Sequence, residues 1–401
     1  MMYKMQFPKI VLIIIITSTL AVNEIRFYPV EAIPDIKKVP EEYPTIQAAI
    51  NAASPGDTII VTHGTYNENL LVNKSISIIG ENPATTIIDG GQRGNAINVV
   101  SSGVVISGFT IQNGTGGLPY SGISISGCNF VVINNTVLRE NYYGLQLTNS
   151  NNSQIFNNVI MNNMYAGIYI HDRCSNNAFF ENTIKNNIVG VWSSNSPSNV
   201  FYHNNFINNT NQLQAFPPMI LDNGSEGNYW SDCIGSDIDL DGVGDAPFAG
   251  DRYPLMGMFV NFTLRYGSQI YFLSIICNST ISNFHFDRSN GKISFDVLGS
   301  KDTVGFCRMA SPLTIIKNYT VYINDKVPIY IGNWTVSNYI YGYFLYLHES
   351  EPQRVTVMLD LPKNENPQSL FPILVATLLI VTALTIIILI KRKGKLDKNL
   401  S

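Results

Sequence analysis

"INNTVLRENYYGLQL" (133–147), "FNNVIMNNMYAGIYI" (156–170) and "FENTIKNNIVGVWS" (180–193) can be written under one another, and a truncated copy, "YHNNFINN" (202–209), follows. Gly122, Gly144, Gly167 and Gly190 recur at intervals of 22, 23 and 23 residues. Asn135, Asn158, Asn182 and Asn204 keep nearly the same beat. A period near 22–24 residues, built from short Ile/Val/Phe pairs broken by Asn and Gly, is the mark of a solenoid.

A leucine-rich repeat would need Leu at fixed offsets and a helical segment in each turn. Here β-branched residues and Asn dominate, which favours a parallel β-helix with three short strands per coil. Ile and Val then fill the bore, and Asn takes the corners, where it tolerates left-handed backbone and can stack in hydrogen-bonded ladders. "TIIV" (58–61), "SISIIG" (75–80), "TTIIDG" (85–90) and "GVVISGFTIQN" (103–113) continue the rhythm upstream. Residues 58–210 leave room for about seven coils, a rod of roughly 30–35 Å. Its open end needs a cover. "YPTIQAAINAASPGD" (43–57) supplies one: Ile46, Ala49, Ile50 and Ala53 share one helical face, Thr45 can cap it, and Pro55–Gly56 end it.

The chain's ends suggest a place in the cell. "IVLIIIITSTLAV" (10–22), after Lys4 and Lys9, resembles a secretory signal. "LFPILVATLLIVTALTIIILI" (370–390) is 21 residues without a charge, followed by "KRKGKLDK", which predicts a membrane helix with a cytoplasmic tail and an extracellular remainder. N-x-S/T sequons, among them Asn73, Asn134, Asn261 and Asn333, fit an exposed glycoprotein. Net charge is −4 with no basic stripe, which argues against nucleic acid. Of the five cysteines, Cys277 with Cys307 is the expected disulfide pair.

Beyond Met256 the Asn-rich texture gives way to alternating runs such as "SNFHFDRSNGKISFDVLG" (282–299) and "RVTVMLDL" (354–361), expected to form a β-sandwich. Tyr330, Trp334, Tyr339, Tyr341 and Tyr343 are candidates there for a sugar platform, and ordinary strand residues otherwise. The expected order is a signal peptide (1–32), a right-handed parallel β-helix with an N-terminal capping helix (40–215), and the helix end with an acidic loop (216–262). A small β-sandwich (263–361), a linker (362–369), a C-terminal transmembrane helix (370–390) and a basic tail (391–401) follow.

"GSDIDLDGVGDAPF" (235–248) is that loop. Asp237, Asp239 and Asp241 stand at positions 1, 3 and 5 of a calcium-loop pattern, with the Val243 carbonyl at 7 and Asp245 at 9. Four aspartates so close repel one another unless a cation neutralises them, and hard oxygens select calcium. Phe248 replaces the usual bidentate Glu at position 12, which predicts weak binding.

"PTIQAAINAASPGDTIIVTHGTYNENLLVNKSISIIGE" (44–81) resembles the N-terminal segment of pectin-lyase-like right-handed β-helices. "NVFYHNNFINNT" (199–210), "GNYWSD" (227–232), "DIDLDGVGDAPF" (237–248) and "DRYPLM" (251–256) are similar to the NosD-type periplasmic copper-processing β-helix proteins, above all their archaeal surface relatives. The resemblance covers roughly residues 40–257. It implies copper handling, for which His171 and Cys174 are the best pair. It also raises a polysaccharide lyase or hydrolase acting in the groove. Yet residues 91–220 hold only Glu140, Asp172 and Glu181 as carboxylates, and no paired-aspartate motif follows "GTYNE" (64–68). The reading is a membrane-anchored cell-envelope β-helix, stabilised by calcium, that binds a polysaccharide or surface protein, with a polysaccharide lyase or hydrolase of the groove and NosD-like copper handling as the alternatives.

Overall fold

The structure, a computed structural model, describes residues 34–360 apart from 118, 267–268 and 314–317. The expected signal peptide, linker, membrane helix and tail lie outside the described residues.

A representative coil runs through strands Gln154–Phe156, Val159–Met161 and Ala166–His171. Successive coils stack parallel and in register: Leu145, Ile168 and Val191 are partners in one column, Leu138, Ile160 and Ile184 in another. All six are fully buried, so the bore is a continuous aliphatic core. Two sheets hold eight strands and the third seven, about eight turns. That exceeds the expected seven because Ile36–Val39 and Tyr229–Trp230 extend the stack at its two ends.

Corner residues divide into two kinds. Asn157, Asn162 and Asn186 have φ of 53°, 53° and 55°, the left-handed turn that reverses the chain. Each following Asn is buried and joins a ladder. Asn158 Nδ2 donates to Asn182 Oδ1 (2.9 Å), Asn182 Nδ2 to Asn204 Oδ1 (2.9 Å), and Asn204 Nδ2 to Asn228 Oδ1 (2.8 Å). The ladder begins at Thr136, not at Asn135, which is itself a left-handed corner. Asn141, Asn163, Asn187 and Asn209 form a second ladder at 2.9–3.2 Å. The periodic glycines lie beside it: a Cβ on Gly144 would sit 2.6 Å from the Gly167 carbonyl oxygen. Close coil-to-coil approach therefore excludes a side chain there.

At the N-terminal end, helix α1 (Ile46–Ala52) buries Ile46, Ala49 and Ile50 against the first coils. Thr45 accepts from the Ala48 N–H, and the Glu68 carboxylate accepts from the amides of Ile46 and Gln47 (both 2.9 Å). The helix has seven residues, and Ala53 caps it rather than continuing it. At the other end Trp230 is buried and stacked on Phe206 at 4.3 Å. Asp251 closes the ladder there, accepting from Asn228 N (2.7 Å) and Trp230 Nε1 (3.0 Å).

Residues 258–359 form two antiparallel sheets of five and four strands that share a core including Leu273, Ile275, Phe295 and Val355. Cys277 and Cys307 are register partners on neighbouring strands, buried as free thiols in contact with one another.

Among the described residues no helix is long and apolar enough to cross a membrane, and α1 is the one helix there. The expected single-pass protein of the cell membrane is therefore not supported.

Candidate functional site

Three places gather chemistry-bearing side chains: the acidic loop, the seam between the rod and the five-stranded sheet, and one outer face of the rod.

In the loop, Asp237 accepts from the Asp241 and Gly242 amides (2.9 and 3.0 Å), and Asp241 accepts from Val243 N (2.8 Å). Carboxylate oxygens of Asp237, Asp239 and Asp241 lie within 4.8 Å of one another, the one such grouping of three or more His, Cys, Asp or Glu among the described residues. Asp245 is not in it; its carboxylate is held by Ser236 Oγ (2.9 Å) and Ile238 N (3.0 Å). Burial pushes the Asp237 and Asp241 carboxyls up against their amide hydrogen bonds, and the neighbouring Asp239 adds to the rise. The loop rests on the five-stranded sheet, with Arg308 Nη1 3.4 Å from the Asp241 carbonyl oxygen.

Arg308 also reaches into the seam. Glu226, from the rod's end, accepts from Arg308 Nη1 (2.6 Å) and pairs with His203 Nε2 (2.7 Å). Burial alone would raise the Glu226 carboxyl, but the His203 hydrogen bond and the Arg308 charge pull it down to about 2. His203 stacks on Phe259 at 4.1 Å, and the Arg308 guanidinium lies 5.2 Å over the Tyr341 ring. A cleft of about 340 Å³ opens beside this triad. On its wall Glu181 accepts from Asn261 Nδ2 (3.1 Å), and burial, the largest influence, raises its carboxyl against that bond and the nearby His203. Asn261 belongs to a sequon yet is tied into the seam rather than standing free.

The rod's outer face carries a column of rings from three successive coils. Gln146, Tyr169 and Trp192 are register partners pointing outward. Tyr169 stacks on Trp192 at 4.4 Å and on His171 at 4.5 Å, while Tyr142 stacks on Tyr165 at 5.9 Å. Tyr143 packs beneath them; burial and the neighbouring tyrosines push its hydroxyl up to about 12. Met164 and Ile188 flank the column, exposed at 53 % and 49 %. The repeat spacing could have shown this, since Tyr142 and Tyr165, like Tyr169 and Trp192, are 23 residues apart.

The aromatics expected to form a platform beyond Met256 do not make a continuous one. Tyr343 is buried beside Asp237, and Tyr341 is covered by Trp334 and Arg308. Asp172 and Glu181 sit at different corners of the coil, Asp172 exposed and bound to His171 Nδ1 (2.8 Å), Glu181 in the seam.

Residues 50–235 match the family described as periplasmic copper-binding protein (NosD). Over that stretch the chain is similar to the NosD family, and its structure there is a parallel β-helix. A search of curated proteins returned no match. Among solved structures the NosD-like solenoid is similar to an alginate lyase from a Paenibacillus species, at 15 % identity and a TM-score of 0.29 over 43 % of this chain and 61 % of that one. It is also similar to a pectin methylesterase from Erwinia chrysanthemi, at 12 % identity and a TM-score of 0.27 over 42 % of this chain and 70 % of that one. The match thus spans about three fifths of the alginate lyase, and both likenesses concern the fold alone.

The family description raises copper, which wants clustered soft or imidazole ligands. His171 has Nδ1 on Asp172 (2.8 Å) and Nε2 beside Thr148 Oγ1 (2.8 Å), whereas Cys174 Sγ is buried in the bore on the His171 carbonyl oxygen (3.2 Å). Burial pushes that thiol up, away from the thiolate a metal needs. His171 and Cys174 therefore do not form a copper site together.

Proposed function

We propose that the NosD-like solenoid binds a cell-envelope polysaccharide along its aromatic column, without catalysis. The carrying observation is the stacked, outward-facing run of Tyr142, Tyr165, Tyr169 and Trp192 over three coils. A pyranose ring presents an apolar C–H face that rests on the electron-rich face of an aromatic ring, while its edge hydroxyls need polar partners. Gln146 and His171, bonded to each other at 2.9 Å beside the rings, are suited to that second task. A face with successive rings one coil apart suits an extended chain better than a single small molecule.

Calcium belongs to the same proposal. Asp237, Asp239 and Asp241, with the Val243 carbonyl, would hold one Ca²⁺ through hard oxygens, and Asp245 would brace the loop from outside. Weak binding, ~10⁻⁴–10⁻³ M, follows from the missing position-12 carboxylate. The ion would stiffen the loop where it rests on Arg308 and Tyr343.

The test is a polysaccharide panel probed with the full chain and with Trp192→Ala. Binding to a glycan that the variant loses, at an unchanged melting temperature, supports the reading. Equal binding by both proteins removes the aromatic column from the account.

A further inference from the structure

We propose that the seam cleft is a separate saccharide site that takes one or two neutral sugar units, a chain end or branch, independently of the aromatic column. Its volume, about 340 Å³, falls in the ~300–1,000 Å³ range of small-molecule sites. Both parts of the fold wall it: Glu181, His203 and Glu226 from the solenoid side, Ser274, Arg308 and Tyr339 from the sheet.

The chemistry of the wall selects the ligand. The Glu226 and Arg308 charges already pair, and both Glu226 oxygens are engaged, one by Arg308 and one by His203. A charged ligand would have to break that triad and leave a buried ion unpaired, which is costly. What the wall lacks is neutral partners. Asn261 Oδ1, an acceptor, and Arg308 Nε, a donor, are buried without a hydrogen bond, and the Arg308 side chain is only 4 % exposed. A hydroxyl both donates and accepts, so a polyol satisfies the two kinds at once where an amine or a carboxylate satisfies one. Tyr339 and Phe272, exposed at 44 % and 56 %, stand at the cleft and offer ring faces to a sugar's apolar side.

Saturation-transfer NMR on the full chain tests this with glucose, galactose, mannose, N-acetylglucosamine and their β1–4 dimers. Glucuronate and inorganic phosphate are the charged controls. The variants are Ser274→Phe, which fills the cleft, Tyr339→Ala, which strips its exposed ring, and Trp192→Ala, which spares it. The expected result is a signal from at least one neutral sugar that weakens about tenfold in Tyr339→Ala and Ser274→Phe and persists in Trp192→Ala. If Ser274→Phe does not fold, Tyr339→Ala decides alone. No neutral-sugar signal, a stronger signal from glucuronate or phosphate, or a signal lost only with Trp192→Ala would overturn the proposal. That last outcome would leave the aromatic-column reading standing, whereas persistence in Trp192→Ala with loss in the cleft variants would uphold the cleft by itself.

Discussion

Replacing Asn182 by alanine should cost far more than the same change at Asn157, although both are corner asparagines between the same two sheets. Asn182 is fully buried, and its side chain makes four hydrogen bonds. Oδ1 accepts from Asn158 N (3.1 Å) and Asn158 Nδ2 (2.9 Å). Nδ2 donates to the Ile155 carbonyl (2.8 Å) and to Asn204 Oδ1 (2.9 Å). Truncation strands the Asn158 amide outright. It also removes one partner from Asn158 Nδ2, which keeps Ile133, and from Asn204 Oδ1, which keeps the Asn182 amide. At about 1–3 kcal/mol for the one buried group left unpaired, the weakened ladder and the small cavity bring the cost to about 2–5 kcal/mol. That is a large share of a typical folding free energy of ~5–15 kcal/mol. Asn157 is exposed, and its contribution is tolerance of φ 53°; alanine there should cost only about 1–2 kcal/mol. Urea unfolding followed by circular dichroism measures both, and amide exchange at Asn158 locates the loss. Equal destabilisation by the two variants would refute the ladder register and the division of corner roles built on it.

Ile168→Asp places a charge in a dry bore, where Ile168 has no exposed surface; losing the cooperative solenoid transition is the expected outcome, and parent-like melting would contradict the register. Glu226, lowered from an ordinary 4.5 to about 2, contributes stability that is full above about pH 4.5 and lost as pH falls towards 2, about 3 kcal/mol in all. Glu226→Gln should therefore flatten the acid limb of the stability curve, and an unchanged limb would remove the triad from the seam's energetics. Calcium at tenfold saturation should stabilise by ~1–2 kcal/mol, raising the melting temperature over that in EDTA for the parent but not for Asp241→Asn. Identical parent melting in both media would reduce the loop to a hydrated turn.

The solenoid was legible because a stacked coil forces its constraint to recur. Gly144 must be glycine for the same steric reason as Gly167, so the period stands in the sequence. The finer register was not, because "INN" at 133–135 and "FNN" at 156–158 look alike yet are offset by one, Asn134 pairing with Phe156. A ladder position and a left-handed corner use the same residue type, and only burial separates them. The acidic loop was legible as three converging aspartates, but the turning of Asp245 towards Ser236 and Ile238 depends on backbone geometry that no spacing encodes. The seam was out of reach: Glu226 and Arg308 are 82 positions apart and meet through packing of the sheet on the rod. The column of rings was within reach, since its members keep the repeat's beat.

The measurement that bears most directly on function is titration calorimetry of the best polysaccharide ligand against the parent and against Tyr169→Ala/Trp192→Ala, whose rings are partially exposed and so removable without opening the bore. The account predicts affinity weaker by about tenfold for each ring removed, roughly a hundredfold together, at an unchanged melting temperature. Undiminished affinity in the double variant would contradict it.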